Sequence, residues 1–588
     1  RRNPDPFCDY GSEVKNGKEE EIMQTIVTLK EKPFYLKDEQ IEWVEKTMDS
    51  MTMEEKIGQL FLVIGLADDE EELVQMYRQW KFGGIMFRPV PAASLIQWNK
   101  RLQKEAKIPL LIAANLENGG SGAVLEGTPF GSQMQVAATG EKEQAYRLGR
   151  ISASEGKAAG VNLAFAPVCD IDRQWRNPIT NTRTYGGDPE TVLEMCSEYL
   201  KGASKEGVAV SIKHFPGDGC DERDQHLVAS VNDLSCEEWD ATYGKIYKTL
   251  IEQGAQTVMA GHIMQPAYTR YFTPGIRDEE ILPASCSEEL INGLLRSRLG
   301  FKGVVLTDAA NMLGYCTAMK RSELIPATIN AGVDMILFGR NVTEDMGYLK
   351  AAVQNGTVTE ERLNEAVTRV LALKASMGLH AMQEEEQTEE SREVIGCPEH
   401  MEAARECADK AITLVKDTQK LLPVRPETHK RVWLHISGDK PGFTGGSRCK
   451  DWVIDALKQA GFSVDVYDTE HMTMEETMVP VEEIAAKYDV IMYFSNVINA
   501  SYQTTARIQW AGNVAQEAPY FTKEMPTLLV NLGNPYGTVD APMIPTVINT
   551  YHASKIIVDE VVKKIMGESE FKGHSPVDPF CGKWGTKF

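Results

Sequence analysis

The stretch "KHFPGDGCDERDQH", residues 213–226, carries two histidines, a lysine, an arginine and four acidic residues directly after the apolar run "GVAVS". Histidine exchanges protons near neutral pH, and a nearby carboxylate can hold one ring nitrogen while the other faces a substrate. Asp224 and His226 have a suitable spacing, because residues i and i+2 of an extended segment point to one side. A solvated acidic loop is the plain alternative. For Lys213 and His214, just before the loop, the plain alternatives are a structural ion pair and a core imidazole. Further on, Asp308 ends the apolar run of "GVVLTDAANM". A carboxylate there would emerge partly desolvated, or would cap a helix starting at "AANMLGY". Upstream, "NPITNTRTYGGDPE" supplies Arg183. An acid/base pair, a nucleophile and a set of cations are what group transfer requires.

These residues need a scaffold that gathers them. Short β-rich runs begin at "IGQLFLVIG" (57–65), "FGGIMFR" (82–88), "LLIAANL" (110–116) and "NLAFAP" (162–167). They continue at "VAVSIKHF" (208–215), "TVMAGHI" (257–263), "GVVLTDA" (303–309) and "MILFG" (335–339), with amphipathic segments between them. Eight strands alternating with helices predict an α/β fold, a parallel (β/α)8 barrel of the TIM type, over residues 51–380. Reacting groups of such barrels sit at the C-terminal ends of the strands, and Lys213, His214 and Asp308 fall there. A second α/β pattern over 411–572, with strands such as "VWLHIS", "VIMYFS" and "TLLVNLG", predicts an open α/β sandwich. An extension (1–50), a charged linker (381–410) and a tail (573–588) complete the expected organisation.

The net charge is −23, which argues against nucleic acid, since Lys and Arg must displace phosphate counterions. No apolar stretch is long enough to span a membrane. Eleven widely spaced cysteines without a CxxC pair suit reduced thiols in the cytoplasm, although the chain does not begin with Met and secretion stays open. The same spacing speaks against zinc, and no metal or organic cofactor is expected. A homodimer is among the assemblies the sequence allows. The glycine-rich "HISGDKPGFTGGS" (435–447) lacks the lysine and spacing of a phosphate-binding loop.

"IKHFPGDG" followed by "DQH", with "NPITNTRTYGGDP" upstream and "GVVLTDAANM" downstream, resembles glycoside hydrolase family 3 and its β-N-acetylhexosaminidase branch. "EEKIGQLF", "AITLVKDTQKLLPV" and "LGNPYG" extend the resemblance over most of the chain. The resemblance implies that Asp308 attacks the anomeric carbon to form a glycosyl-enzyme. It implies that His226 serves as acid and then base, oriented by Asp224. Arg183, Lys213 and His214 would hold the sugar, with Asn115 and Met312 as further contacts. Met312 also suits a core position. The glycines of the 213–226 loop would let it close over the sugar.

Three departures bear on the substrate. "NLENGGSG" puts Asn115 where the family has a sugar-binding Asp, and lacks the arginine that follows. "GQLFLVIGLADDE" offers no arginine after the first strand. Asp218 replaces a histidine and is expected to load negative charge beside the dyad and raise the histidine pKa. The implied activity is removal of terminal β-linked N-acetylhexosamine, N-acetylglucosamine above all, from an oligosaccharide or glycoconjugate, with an altered glycone preference. A glycoside phosphorylase with the same dyad is the alternative within enzymes. A carbohydrate-binding protein without turnover is the alternative outside them.

Overall fold

The computed structural model describes residues 28–66, 69–381, 392–438, 448–469, 471, 473, 475, 478–512 and 515–588. Eight parallel strands close into a barrel: β1 (Phe61–Gly65), β2 (Gly84–Phe87), β3 (Leu111–Ala114), β4 (Leu163–Ala164), β5 (Ala209–Phe215), β7 (Thr257–Ala260), β9 (Val304–Ala309) and β10 (Met335–Leu337). All eight lie within the expected runs. The first is shorter than its apolar run because "MEEKIGQ" is a helix, with Thr52 and Glu55 forming a capping box at its start. Two short strands outside the barrel, β6 (Ser230–Val231) and β8 (Ile263–Met264), pair in parallel and tie the loop after β5 to that after β7.

Side chains along most barrel strands alternate between two apolar clusters. Leu62, Leu111, Leu163, Leu306 and Leu337 pack in one cluster, while Val63, Ile112, Ala164 and Val305 pack in another that includes surrounding helices such as Lys142–Ala158 and Pro189–Lys205. This is the two-sided burial that makes parallel strands apolar at consecutive positions. Asp38–Ser50 packs beside the helix Glu360–Ser376, so part of the expected extension joins the barrel layer.

The second sheet has the order β11 (Thr413–Asp417), β16 (Thr546–Asn549), β15 (Thr527–Asn531), β14 (Val490–Ser495), β12 (Arg431–Ser437), β13 (Ser463–Val466). Only β11 runs antiparallel. The sequence pattern did not pick out β16, whose four residues lie between proline and polar segments. Within the expected linker, Pro398–Ala411 is a helix, and His400 Nδ1 lies 2.7 Å from the buried Glu155. Residues 382–391 lie outside the described residues, as do 439–447 of the glycine-rich stretch. The tail packs against both domains: the carbonyl of Pro576 accepts from Gly187 of the barrel, and that of Thr586 accepts from Lys416 of the second domain. Among the described residues, no helix is long and apolar enough to cross a membrane, and the cysteines are free.

Candidate active site

Strand parity decides which polar side chains reach the barrel mouth. Along β9, Val304 and Leu306 face one way and Val305 the other, so Asp308 continues the inward face at the rim. Its Oδ1 accepts from Ala309 N–H at 2.7 Å, and its side chain is 16% exposed. The following helix, Leu313–Cys316, begins at Met312 without a side-chain cap. Asp308 is therefore not a helix cap.

On β5 the same parity turns Lys213 inward. Pairing with β7 then shifts, with one extra residue on β5 between Ile212 and Phe215, and this bulge resets the alternation at His214. His214 Nε2 lies 3.8 Å from Asp308 Oδ2, and its Nδ1 lies 2.7 Å from Asp170 Oδ2. Asp170 also accepts the backbone N–H groups of His214 and Asp218. Lys213 Nζ sits 2.5 Å from Glu117 Oε1, and Arg183 forks onto the same carboxylate at 3.0 and 2.9 Å. Burial favours a protonated Glu117, yet the Arg183 and Lys213 charges hold its carboxyl well below the usual range. Burial lowers the Lys213 ammonium pKa more than Glu117 raises it. For Asp308, burial is likewise outweighed by His214, His262 and His226 and by the Ala309 N–H, which bring it down to about 2. The carboxylate is ionised at neutral pH, as a nucleophile must be.

Asp224 and His226 meet through a turn rather than an extended segment. Leu227 and Val228 N–H return to the Asp224 carbonyl, and Asp224 Oδ1 accepts His226 N–H at 2.9 Å. His226 Nδ1 lies 2.7 Å from the same oxygen. Leu313 N–H donates to the His226 carbonyl and Gly314 N–H to that of Gln225, which docks the loop on the segment after Asp308. The glycines expected as hinges mark close packing instead. Gly219 has φ +96°, and a Cβ there would stand 2.0 Å from the Ile171 carbonyl oxygen.

Asp218 bonds to a buried polar cluster beside the dyad. It is buried, its Oδ1 accepts from Asn177, Gly219 and Ser230, and its Oδ2 accepts from Gln225. Burial, reinforced by Asp170, pushes its carboxyl up to about 7, so much of its charge is lost at neutral pH. Met312 has no accessible surface and thus presents none to a sugar; its core placement prevails over the expected contact. Asn115, the residue after β3, is exposed.

Four elements of this site were not anticipated. Glu117 and Asp170 follow the ends of β3 and β4, and His262 follows β7, so the strand-end rule could have found them. The buried His262 lies within hydrogen-bond distance of Ser285 and the Ala309 carbonyl, and burial lowers its pKa to about 4. The fourth comes from the second domain: Tyr502 N–H donates to Asp224 Oδ2 at 2.8 Å. Among the described residues, no group of three or more His, Cys, Asp or Glu side chains could hold a metal ion.

Comparison with known proteins places these features in context. Residues 52–373 match the sequence profile of the glycosyl hydrolase family 3 N-terminal domain. A protein of Cellulomonas fimi described as "Beta-N-acetylglucosaminidase/beta-glucosidase" is 43% identical over 95% of this chain and all of its own length. A solved structure described as "Beta-glucoside phosphorylase BglX" superposes with a TM-score of 0.89 at 43% identity, covering 95% of this chain and 99% of that one. A family 3 β-N-acetylglucosaminidase from Paenibacillus sp. str. FPU-7, at 24% identity and a TM-score of 0.77, shares the fold over 91% of this chain and 100% of its own.

Proposed function

This chain belongs to glycoside hydrolase family 3, and we propose that it is a retaining exo-acting enzyme that removes terminal β-linked N-acetylglucosamine and also accepts β-glucosides. The observation that carries the proposal is the ionised Asp308 at the barrel mouth, beside His214 and within the electrostatic reach of His226. In the first step an Asp308 oxygen bonds to the anomeric carbon as the glycosidic C–O bond breaks. His226 gives its proton to the departing oxygen. Asp224 keeps the imidazole oriented through Nδ1, which leaves Nε2 for the substrate. In the second step the acceptor attacks the same carbon, the glycosyl–Asp308 ester breaks, and His226 takes up the acceptor's proton when water is used.

Arg183 and Lys213 share Glu117 and are held as a rigid pair of donors for sugar hydroxyls. The neutral Asn115 at the exposed end of β3 replaces a carboxylate that would bind hydroxyl groups strongly. This loosens recognition of the glycone and supports the pairing of glucose with N-acetylglucosamine. That pairing is also printed for the Cellulomonas fimi relative.

Inorganic phosphate as acceptor is the second reading. An imidazole base carries no negative charge when neutral and does not repel an approaching phosphate dianion as a carboxylate would. The relative named a β-glucoside phosphorylase, at 43% identity, supports it. Chromogenic aryl β-N-acetylglucosaminide and β-glucoside assays test the first reading: Asp308→Ala should lose at least a thousandfold in kcat, and equal rates would remove the proposal. Product analysis with and without phosphate separates free sugar from sugar 1-phosphate.

A further inference from the structure

Between β14 and β15 a segment of the second domain reaches the barrel mouth. Asn499 Nδ2 donates to the Thr180 carbonyl at 2.9 Å, and Thr182 Oγ1 donates to Asn499 Oδ1 at 3.4 Å. Both partners lie beside Arg183 in the loop after β4. Three residues on, Tyr502 N–H meets Asp224 Oδ2, and the Tyr502 ring stands edge-on to the His226 imidazole with centroids 5.3 Å apart. One short segment therefore braces the sugar-holding loop and the acid/base loop together. Tyr502 is 48% exposed, so much of its ring faces open space beside His226. Its φ of +66° is a left-handed conformation that tyrosine rarely takes, so the surrounding contacts hold it there.

We infer that Tyr502 is a positioning residue for the Asp224–His226 dyad and forms the wall against which the leaving group packs. The inference rests on the retaining mechanism proposed above. Asp224 accepts His226 N–H and faces Nδ1 with Oδ1, and its Oδ2 accepts from Tyr502 N–H. With both oxygens engaged the carboxylate cannot swing, and the imidazole it holds keeps one orientation. The edge-on phenol restricts ring rotation as well. Because His226 must reach the oxygen that leaves, the group attached to that oxygen lies next to His226, where Tyr502 offers apolar surface. Undocking this segment would leave Asp308 in place on β9 while loosening proton transfer. The Tyr502 contact thus acts on the acid/base half of the reaction separately from the nucleophilic half.

The test uses the dependence on leaving group. An alkyl glycoside or disaccharide needs a proton on the departing oxygen, whereas a 2,4-dinitrophenyl glycoside leaves without one. Tyr502→Gly removes the ring, keeps the N–H and suits the positive φ. It should lower kcat/KM by about 10- to 100-fold for the alkyl glycoside but less than about threefold for the dinitrophenyl glycoside. Tyr502→Phe should behave as wild type. The ratio of the two rates does not depend on the fraction of folded enzyme, so impaired folding cannot imitate the result. Equal losses on both substrates, or Tyr502→Phe as impaired as Tyr502→Gly, would overturn the inference and leave the mechanism standing. Turnover that persists in Asp308→Ala would overturn both.

Discussion

Glu117 is the residue whose replacement should separate its two duties most clearly. Its carboxylate is 9% exposed and compensates two cations, Lys213 at 2.5 Å and Arg183 through two hydrogen bonds. In Glu117→Gln a single amide oxygen remains, and the new NH2 group opposes a cation. Breaking a buried ion pair from one side costs about 3–5 kcal/mol. Arg183 is 23% exposed and can recover hydration, so most of the cost falls on Lys213, whose side chain is 3% exposed. A loss of about 3 kcal/mol corresponds to a melting midpoint lower by roughly 4 °C in a barrel of this size. Glu117→Gln/Lys213→Met should recover much of that loss, because the uncompensated cation is gone, yet it should remain impaired in kcat/KM. The pH dependence has a definite sign. The folded-state pKa of Glu117 is depressed, so its stabilisation is complete above the ordinary value of 4.5 and fades only as pH falls below it. The melting difference between wild type and variant should thus stay constant from pH 5 to 8 and narrow in acid. Differential scanning calorimetry with parallel kinetics measures all of this. A single variant melting within about 2 °C of wild type, or a double variant no more stable than the single one, would refute the reasoning.

Other expectations follow from the same geometry. Burial pushes Asp172 up to about 7 although it accepts from the Tyr536 hydroxyl across the domain boundary. Folded protein then holds a proton that unfolded chain releases near 3.8, so this group's contribution declines as pH rises between those values. Asp172→Asn should gain on wild type by up to about 4 kcal/mol across that window in urea titrations, and a pH-independent difference would contradict it. Gly219→Ala forces a Cβ onto the Ile171 carbonyl at a positive φ, and should displace the acid/base loop, lowering kcat/KM at least about tenfold for alkyl glycosides. Asn115→Asp should shift the ratio of kcat/KM between N-acetylglucosaminide and glucoside by about fivefold or more, and an unchanged ratio would show that Asn115 has no part in glycone choice.

The fold was legible because barrel strands covered on both faces are apolar at consecutive positions and recur between helical segments. In the second sheet β16 escaped, being a four-residue strand with no pattern of its own, as did the two-residue β6 outside the barrel. Asp308, His226 and Asp224 were legible for a related reason: strand ends and tight loops concentrate titratable residues within short sequence distances. Glu117 and Asp170 obey the same strand-end rule, but neither carries a local signal of its partner, since Lys213, Arg183 and His214 lie far along the chain. The neighbours of Asp218 in space, Asn177, Ser230 and Gln225, could not be known from the run of acids around it. Met312 lies near Asp308 in sequence but is fully buried. Tyr502 could not be found at all, since 278 residues separate it from Asp224 and the contact exists only once the domains dock.

The central claim is that Asp308 bonds to the sugar. Trapping with a 2-deoxy-2-fluoro β-glucoside bearing a dinitrophenyl leaving group, followed by peptide mapping, tests it directly, because the fluorine slows release of the intermediate. A mass increase confined to the peptide containing Asp308, released when an acceptor is added, is the predicted result. A label on another carboxylate, or turnover of the reagent with no labelled peptide at any time, would contradict it.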